Sequence, residues 1–106
     1  MNQKPTGKED HSISLADAAR FTARFRAKVE KGTVIGGYFG RDAIEKILAQ
    51  EGCIGIRYYF AETDDGKPTL VLVGVDADGN DMVKGVLAEV SWPCPPFCGE
   101  QNTLNS

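Results

Sequence analysis

An α+β fold, with two helices packed on a three-stranded, largely antiparallel sheet, follows from three features of the chain. Two stretches of helical spacing come first, the spacing then changes to the alternation typical of strands, and two glycine-bearing acidic turns divide that second part. A length of 106 residues allows one domain, and a 42% hydrophobic content is enough to build its core. Residues 1–12 and 100–106 are polar and poor in apolar side chains, so they read as a mobile leader and a mobile tail around a single domain over 13–99.

The first helix is expected from Ser14, with Asp17 as the reciprocal residue of a capping box. Leu15, Ala18, Thr22, Phe25 and Val29 then fall on one stripe, and Lys31-Gly32 makes the stop. The glycine-rich passage 32–40, with Tyr38 and Phe39, has room for a short strand or an anchoring loop. A second helix over about 41–51 is expected to bury Ile44, Ile47 and Leu48, closing at Gly52.

From Cys53 to Ala61 the period becomes two, with Ile54, Ile56, Tyr58 and Phe60 on one face. Asp64-Asp65-Gly66 signals a hairpin turn, Thr69 to Val75 a second strand, and Ala77-Asp78-Gly79-Asn80 another turn. Residues 82–90 favour a third strand through their β-branched side chains, with a helix as the alternative.

The second strand lacks the alternation of a half-solvated strand. Leu70 and Leu72 take one face, and Val71, Val73 and Val75 the other, so the strand should lie centrally with both faces covered. Two helices cover one face. The other needs the Trp92–Phe97 segment, the 32–40 passage or a second subunit, because each exposed valine or leucine forfeits roughly 1.5–3 kcal/mol of burial. Self-association through the sheet is therefore the expectation, with Val71, Val73, Val75, Trp92 and Phe97 as interface residues and a homodimer as the product.

Cys94-Pro95-Pro96-Phe97-Cys98 admits three readings: a rigid apolar segment, a redox pair or half of a metal clip. On a trans polyproline path the two cysteine Cα atoms would stand about 12 Å apart at roughly 3.1 Å per residue, whereas a disulfide needs them within about 7 Å. The pair meets only if the segment turns back, for example through a cis bond before Pro95 or Pro96. The trans path favours a structural segment that docks Trp92, Pro96 and Phe97 onto the body. A zinc site wants four ligands, and only Cys53 and His11 remain as candidates to join Cys94 and Cys98. Thioredoxin-like chemistry uses two intervening residues at a helix start, and here there are three, two of them proline.

Other chemistries find less support. The loop Asp76–Asp81 lacks the glycine and glutamate of a calcium-binding hand at its sixth and twelfth positions, where Asp81 and Leu87 stand. Its carboxylates are separated from Asp64 and Asp65 by a strand of about nine residues, roughly 30 Å, so the two acidic turns form no acid/base pair. The one histidine, His11, lies in the leader, and no phosphate loop or dinucleotide fingerprint appears. Arg20, Arg24, Lys28 and Lys31 fall along one side of the first helix as a candidate anion-binding row, and Arg57 and Tyr59 share a strand face suited to stacking a base. The net charge of −3 and the lack of an RNA-recognition aromatic motif argue against nucleic acid as the partner. No cofactor is expected. No apolar run approaches the roughly 20 residues of a membrane span, the N-terminal residues lack a secretory core, and the odd cysteine count suits a reducing cytoplasm.

Ile47-Leu48-Ala49-Gln50-Glu51-Gly52-Cys53, Val73-Gly74-Val75-Asp76 and the Cys94–Cys98 pentapeptide together resemble a group of short uncharacterised bacterial proteins with a CPPxC-type C-terminal segment. The resemblance covers about residues 14–99 and implies a bacterial origin, with no activity to carry over. The sequence reading is thus a non-enzymatic interaction module. The alternatives are a thiol or metal protein built on Cys94, Cys98 and Cys53, and anion binding by the basic helix face.

Overall fold

Ser14 opens the first helix as its side chain requires: its hydroxyl accepts the Asp17 N–H at 3.1 Å, while the Asp17 carboxylate is taken by Arg20 at 2.9 Å. The computed structural model describes residues 4–89 and 91–106. Along the chain run α1 (Leu15–Arg26), β1 (Gly36–Tyr38), α2 (Arg41–Leu48), β2 (Cys53–Glu62), β3 (Pro68–Asp76), β4 (Leu87–Ala88) and β5 (Trp92–Cys94). The class is α+β, with two helices, a three-stranded antiparallel sheet ordered β2-β3-β4 and a two-stranded ribbon of β1 and β5.

The chain groups into two units, which cut across the boundaries expected at 12 and 100. One joins residues up to Asp10 with Phe39–Ser91, and the other joins His11–Tyr38 with Trp92–Ser106.

In the first unit β3 is the inner strand. Its register with β2 sets Tyr58 opposite Leu72 and Phe60 opposite Leu70 on one face, and Arg57 opposite Val73 and Tyr59 opposite Val71 on the other. Ile54 was expected on the Tyr58 face. A β-bulge between Cys53 and Gly55 removes it from that row and turns Cys53 onto the face of Gly74 instead. The hairpin closes through Thr63, whose N–H donates to the Lys67 carbonyl at 2.9 Å, with Gly66 at a φ of +82°.

The core is aliphatic: Ile47, Leu72, Val73 and Val75 are the buried hydrophobic residues among those described. Ile47 comes from α2, which packs on the sheet. Ile44 is half-buried, but Leu48, expected inside, is exposed because α2 ends at that residue.

Residues 82–90 do not form one continuous strand. Asp81 bridges to Val75, the chain then turns with Gly85 N–H donating to Met82 O at 3.0 Å, and only Leu87–Ala88 rejoin β3; Val90 lies outside the described residues. The cause is Gln50, just beyond α2, whose Oε1 accepts the Val86 N–H at 2.7 Å while its Nε2 donates to Ile47 O at 2.9 Å. Two glycines make room for this amide. A Cβ at Gly85 would overlap Gln50 Oε1, and one at Gly74 would lie 2.9 Å from Gln50 Nε2 and 3.0 Å from Cys53 Sγ. Beyond β4, Ser91 N–H donates to the buried Thr69 hydroxyl at 3.2 Å.

Residues 4–10 lie against this unit. Lys4 pairs with Asp78 at 3.3 Å, and Gly7 passes so close to Ile54 that a Cβ would stand 2.8 Å from its carbonyl oxygen.

In the second unit α1 ends at Arg26, a turn short of the expected Val29. No α1 residue is buried, so the expected apolar stripe is at most half-covered: Ala18 and Thr22 are half-buried, Leu15 and Phe25 exposed. The C-terminal residues turn back on themselves, with Leu104 O accepting from Arg26 at 2.5 Å.

Replacing the fully enclosed Ile47 by alanine is expected to cost about 2–5 kcal/mol, against about 0.5 kcal/mol or less for Leu48→Ala on the exposed side of α2. Urea unfolding of the two variants checks the difference.

Candidate interaction surface

Eight of the nine aromatic side chains are exposed, Phe39 alone being half-buried. Aromatic rings ordinarily dominate cores because each buries about 150–250 Å². Here aliphatic residues fill the interior and the rings lie outside it.

One group sits on β2. Phe60 is 85% exposed and meets Tyr58 edge-on at 5.6 Å between ring centres. Among the described strands β2 has β3 as its one neighbour, and Gly7 passes close to the Ile54 carbonyl near the start of β2. The valines expected to await a partner are not the ones on offer. Val73 and Val75 are buried within the chain and Val71 is half-buried. Val73 lies between Arg57 and Leu87 in the strand registers, so its cover comes from inside the unit.

The opposite face of β2 carries a closed polar network. Asp81 accepts from Arg57 Nη1 at 2.5 Å through one carboxylate oxygen and from the Tyr59 hydroxyl through the other, while Arg57 also donates to Gly79 O at 3.1 Å. The Tyr59 hydrogen bond, then Arg57, holds the Asp81 carboxyl below the usual carboxylate range; the bond to Asp81 raises both Tyr59 and Arg57. Arg57 and Tyr59 are thereby engaged with Asp81 rather than splayed as a platform for a base.

The second aromatic group belongs to the ribbon. Tyr38 opposes Trp92 across β1 and β5 with ring centres 5.5 Å apart, and Trp92 meets Phe97 at the same distance. Trp92 and Phe97 were expected to dock inward; both are more than half exposed. The Cys94–Pro95 and Pro95–Pro96 bonds are cis, against the trans path, and Cys94 and Cys98 form a disulfide with Cα atoms 4.7 Å apart. Cys53 is a free thiol whose Sγ donates to Gly55 O at 3.3 Å. No group of three or more His, Cys, Asp or Glu among the described residues is placed to hold a metal ion.

The basic row is broken. Arg20 pairs with Asp17 and lies 4.9 Å over the Phe21 ring, Arg24 remains on α1, and Lys28 and Lys31 fall beyond the helix end. An open cleft of about 580 Å³ nearby places Glu30 beside Arg26 and Lys31, so it offers no field of one sign. In the loop after β3, Asp76 Oδ1 accepts from Asp78 N–H and Asn80 N–H at 3.0 Å each, the duty of a turn-forming aspartate. Asp81 lies 24 positions from Arg57 and 22 from Tyr59, so that network was not readable from local spacing, whereas the acidic turn was.

No helix among the described residues is long and apolar enough to cross a membrane. No family profile, curated protein or solved structure matches the chain, so this surface is interpreted from its geometry alone.

The Asp81 network sets a pH window. A depressed carboxylate contributes stability above its unfolded pKa of about 3.9 and loses it as pH falls further, while a raised phenol contributes below about 10 and loses it as pH rises. The stability difference between the natural chain and Asp81→Asn should thus be level across this range and shrink beyond each end, as read by urea unfolding against pH.

Proposed function

We propose that the chain is a non-enzymatic interaction module that self-associates by joining the outer edge of β2 to the same edge of a second copy. The observation that carries this reading is Phe60, 85% exposed beside Tyr58 on a ten-residue edge strand. Soluble proteins blunt such edges with proline, lysine, shortness or cover. The other edge of the sheet fits that rule, since β4 has two residues. β2 has no proline or lysine, and of its two charged residues Arg57 is held by Asp81, leaving Glu62 at the end.

A second copy suits this edge through symmetry. Two β2 strands running antiparallel about a twofold axis keep like faces on the same side. With Tyr58 at the axis, Tyr58 meets its own copy and Phe60 lies opposite Ile56, extending one apolar row across both sheets. The cross-strand aromatic pairs add roughly 0.2–1 kcal/mol each to the backbone bonds. The association is concentration-dependent, because the strand alone covers less than the roughly 1,200 Å² of a standard stable interface.

Light scattering over a concentration series is the test. The expected limit is twice the 11.5 kDa chain mass. Phe60→Lys should weaken association about a hundredfold or more, since losing roughly 1.5–3 kcal/mol of burial in each copy counts twice. A monomeric mass at every concentration, or dimers indifferent to this change, contradicts the reading.

A further inference from the structure

Cys94 and Cys98 are not equivalent. Cys94 is half-buried within β5, opposite Gly36, and its carbonyl accepts the Ile35 N–H at 2.7 Å. Cys98 is exposed and follows the turn at the end of the strand. Between them Phe97 reaches back to the ribbon, with its N–H donating to Pro93 O at 2.8 Å and its ring against Trp92. Trp92 is held independently, because it opposes Tyr38 across the ribbon. The cross-link therefore governs one member of the aromatic row, Phe97, and leaves the other two in place.

We propose that the Cys94–Cys98 disulfide is a thiol–disulfide exchange site for dithiol reductants, attacked at Cys98, and that its opening unlatches Phe97 from Trp92. A thiolate of the reductant attacks the Cys98 sulfur, the Cys94–Cys98 bond breaks, and Cys94 leaves as a thiolate that takes a proton from water. The second thiol of the reductant then attacks its own sulfur in the mixed disulfide and releases Cys98. The reductant ends as a cyclic disulfide, oxidised by two electrons, and the protein gains two thiols. Attack falls on Cys98 because exchange requires access to the sulfur, and Cys98 is the more exposed residue of the pair. The Ile35–Cys94 backbone bond does not involve sulfur, so the ribbon survives reduction while Phe97 keeps a single hydrogen bond. A cytoplasmic glutathione and thioredoxin system favours the open form, and an oxidising compartment the closed one.

The full chain serves for the experiment, with Trp92 as the sole tryptophan and a built-in reporter. Alkylation and intact mass should count one thiol, Cys53, under native conditions before reduction, and three after dithiothreitol. Trp92 emission should shift with the time course of the two new thiols, and Phe97→Ala should undergo the same reduction without that shift. A monothiol adduct trapped by acid should map to Cys98, with Cys94 alkylated. Three thiols before any reductant, emission unchanged by reduction, or an adduct on Cys94 each overturns the proposal.

Discussion

Leu72, Val73 and Val75 are buried on both faces of a single strand, and this double burial decides how the rest of the first unit is arranged. The same strand has a neighbour on each edge, β2 and β4, so it lies at the centre of the sheet. Once β3 is central in a three-stranded sheet, β2 is necessarily an outer strand. Its length and its exposed rings then become the most conspicuous feature of the surface. Cover on one face comes from Ile47 and α2, while Arg57, Tyr59 and Asp81 close a polar lid on the other.

Aliphatic core and aromatic exterior divide the labour. The interior is small, and the rings that would ordinarily fill a core lie outside it in separate groups on β2, α1 and the ribbon. Exposed rings cost little when they pack on each other, as Trp92 does with Tyr38 and Phe97, and they make effective anchors when a partner covers them. The ribbon differs from β2 in being clasped by a covalent bond; under the two proposals its surface answers to thiol chemistry and that of β2 to concentration.

Much of this was legible from the residues, and the failures have physical causes. The strand at 68–76 was visible because apolar side chains occupy consecutive positions, which only a strand covered on both faces tolerates. The hairpin at Asp64-Asp65-Gly66 and the N-cap at Ser14 were visible because their chemistry is local. What covers β3 was not, since Arg57, Tyr59 and Asp81 meet only after the sheet has formed. The bulge at Ile54 shows only in the strand register, and the interruption by Gln50 was hidden because a side-chain amide from beyond α2 captures the Val86 N–H. The cysteine pair was read on a trans path, and the backbone folds back there instead.

The enclosure of β3 is observed, and the cover of the outer edge of β2 by a second copy is proposed. Amide hydrogen exchange followed residue by residue across a concentration series tests both halves at once. The account predicts that the Leu72, Val73 and Val75 amides are the slowest at every concentration, and that the outward amides of β2 slow as concentration rises. Amides of β3 exchanging as fast as those of β2, or outward β2 amides protected equally at all concentrations, would contradict it.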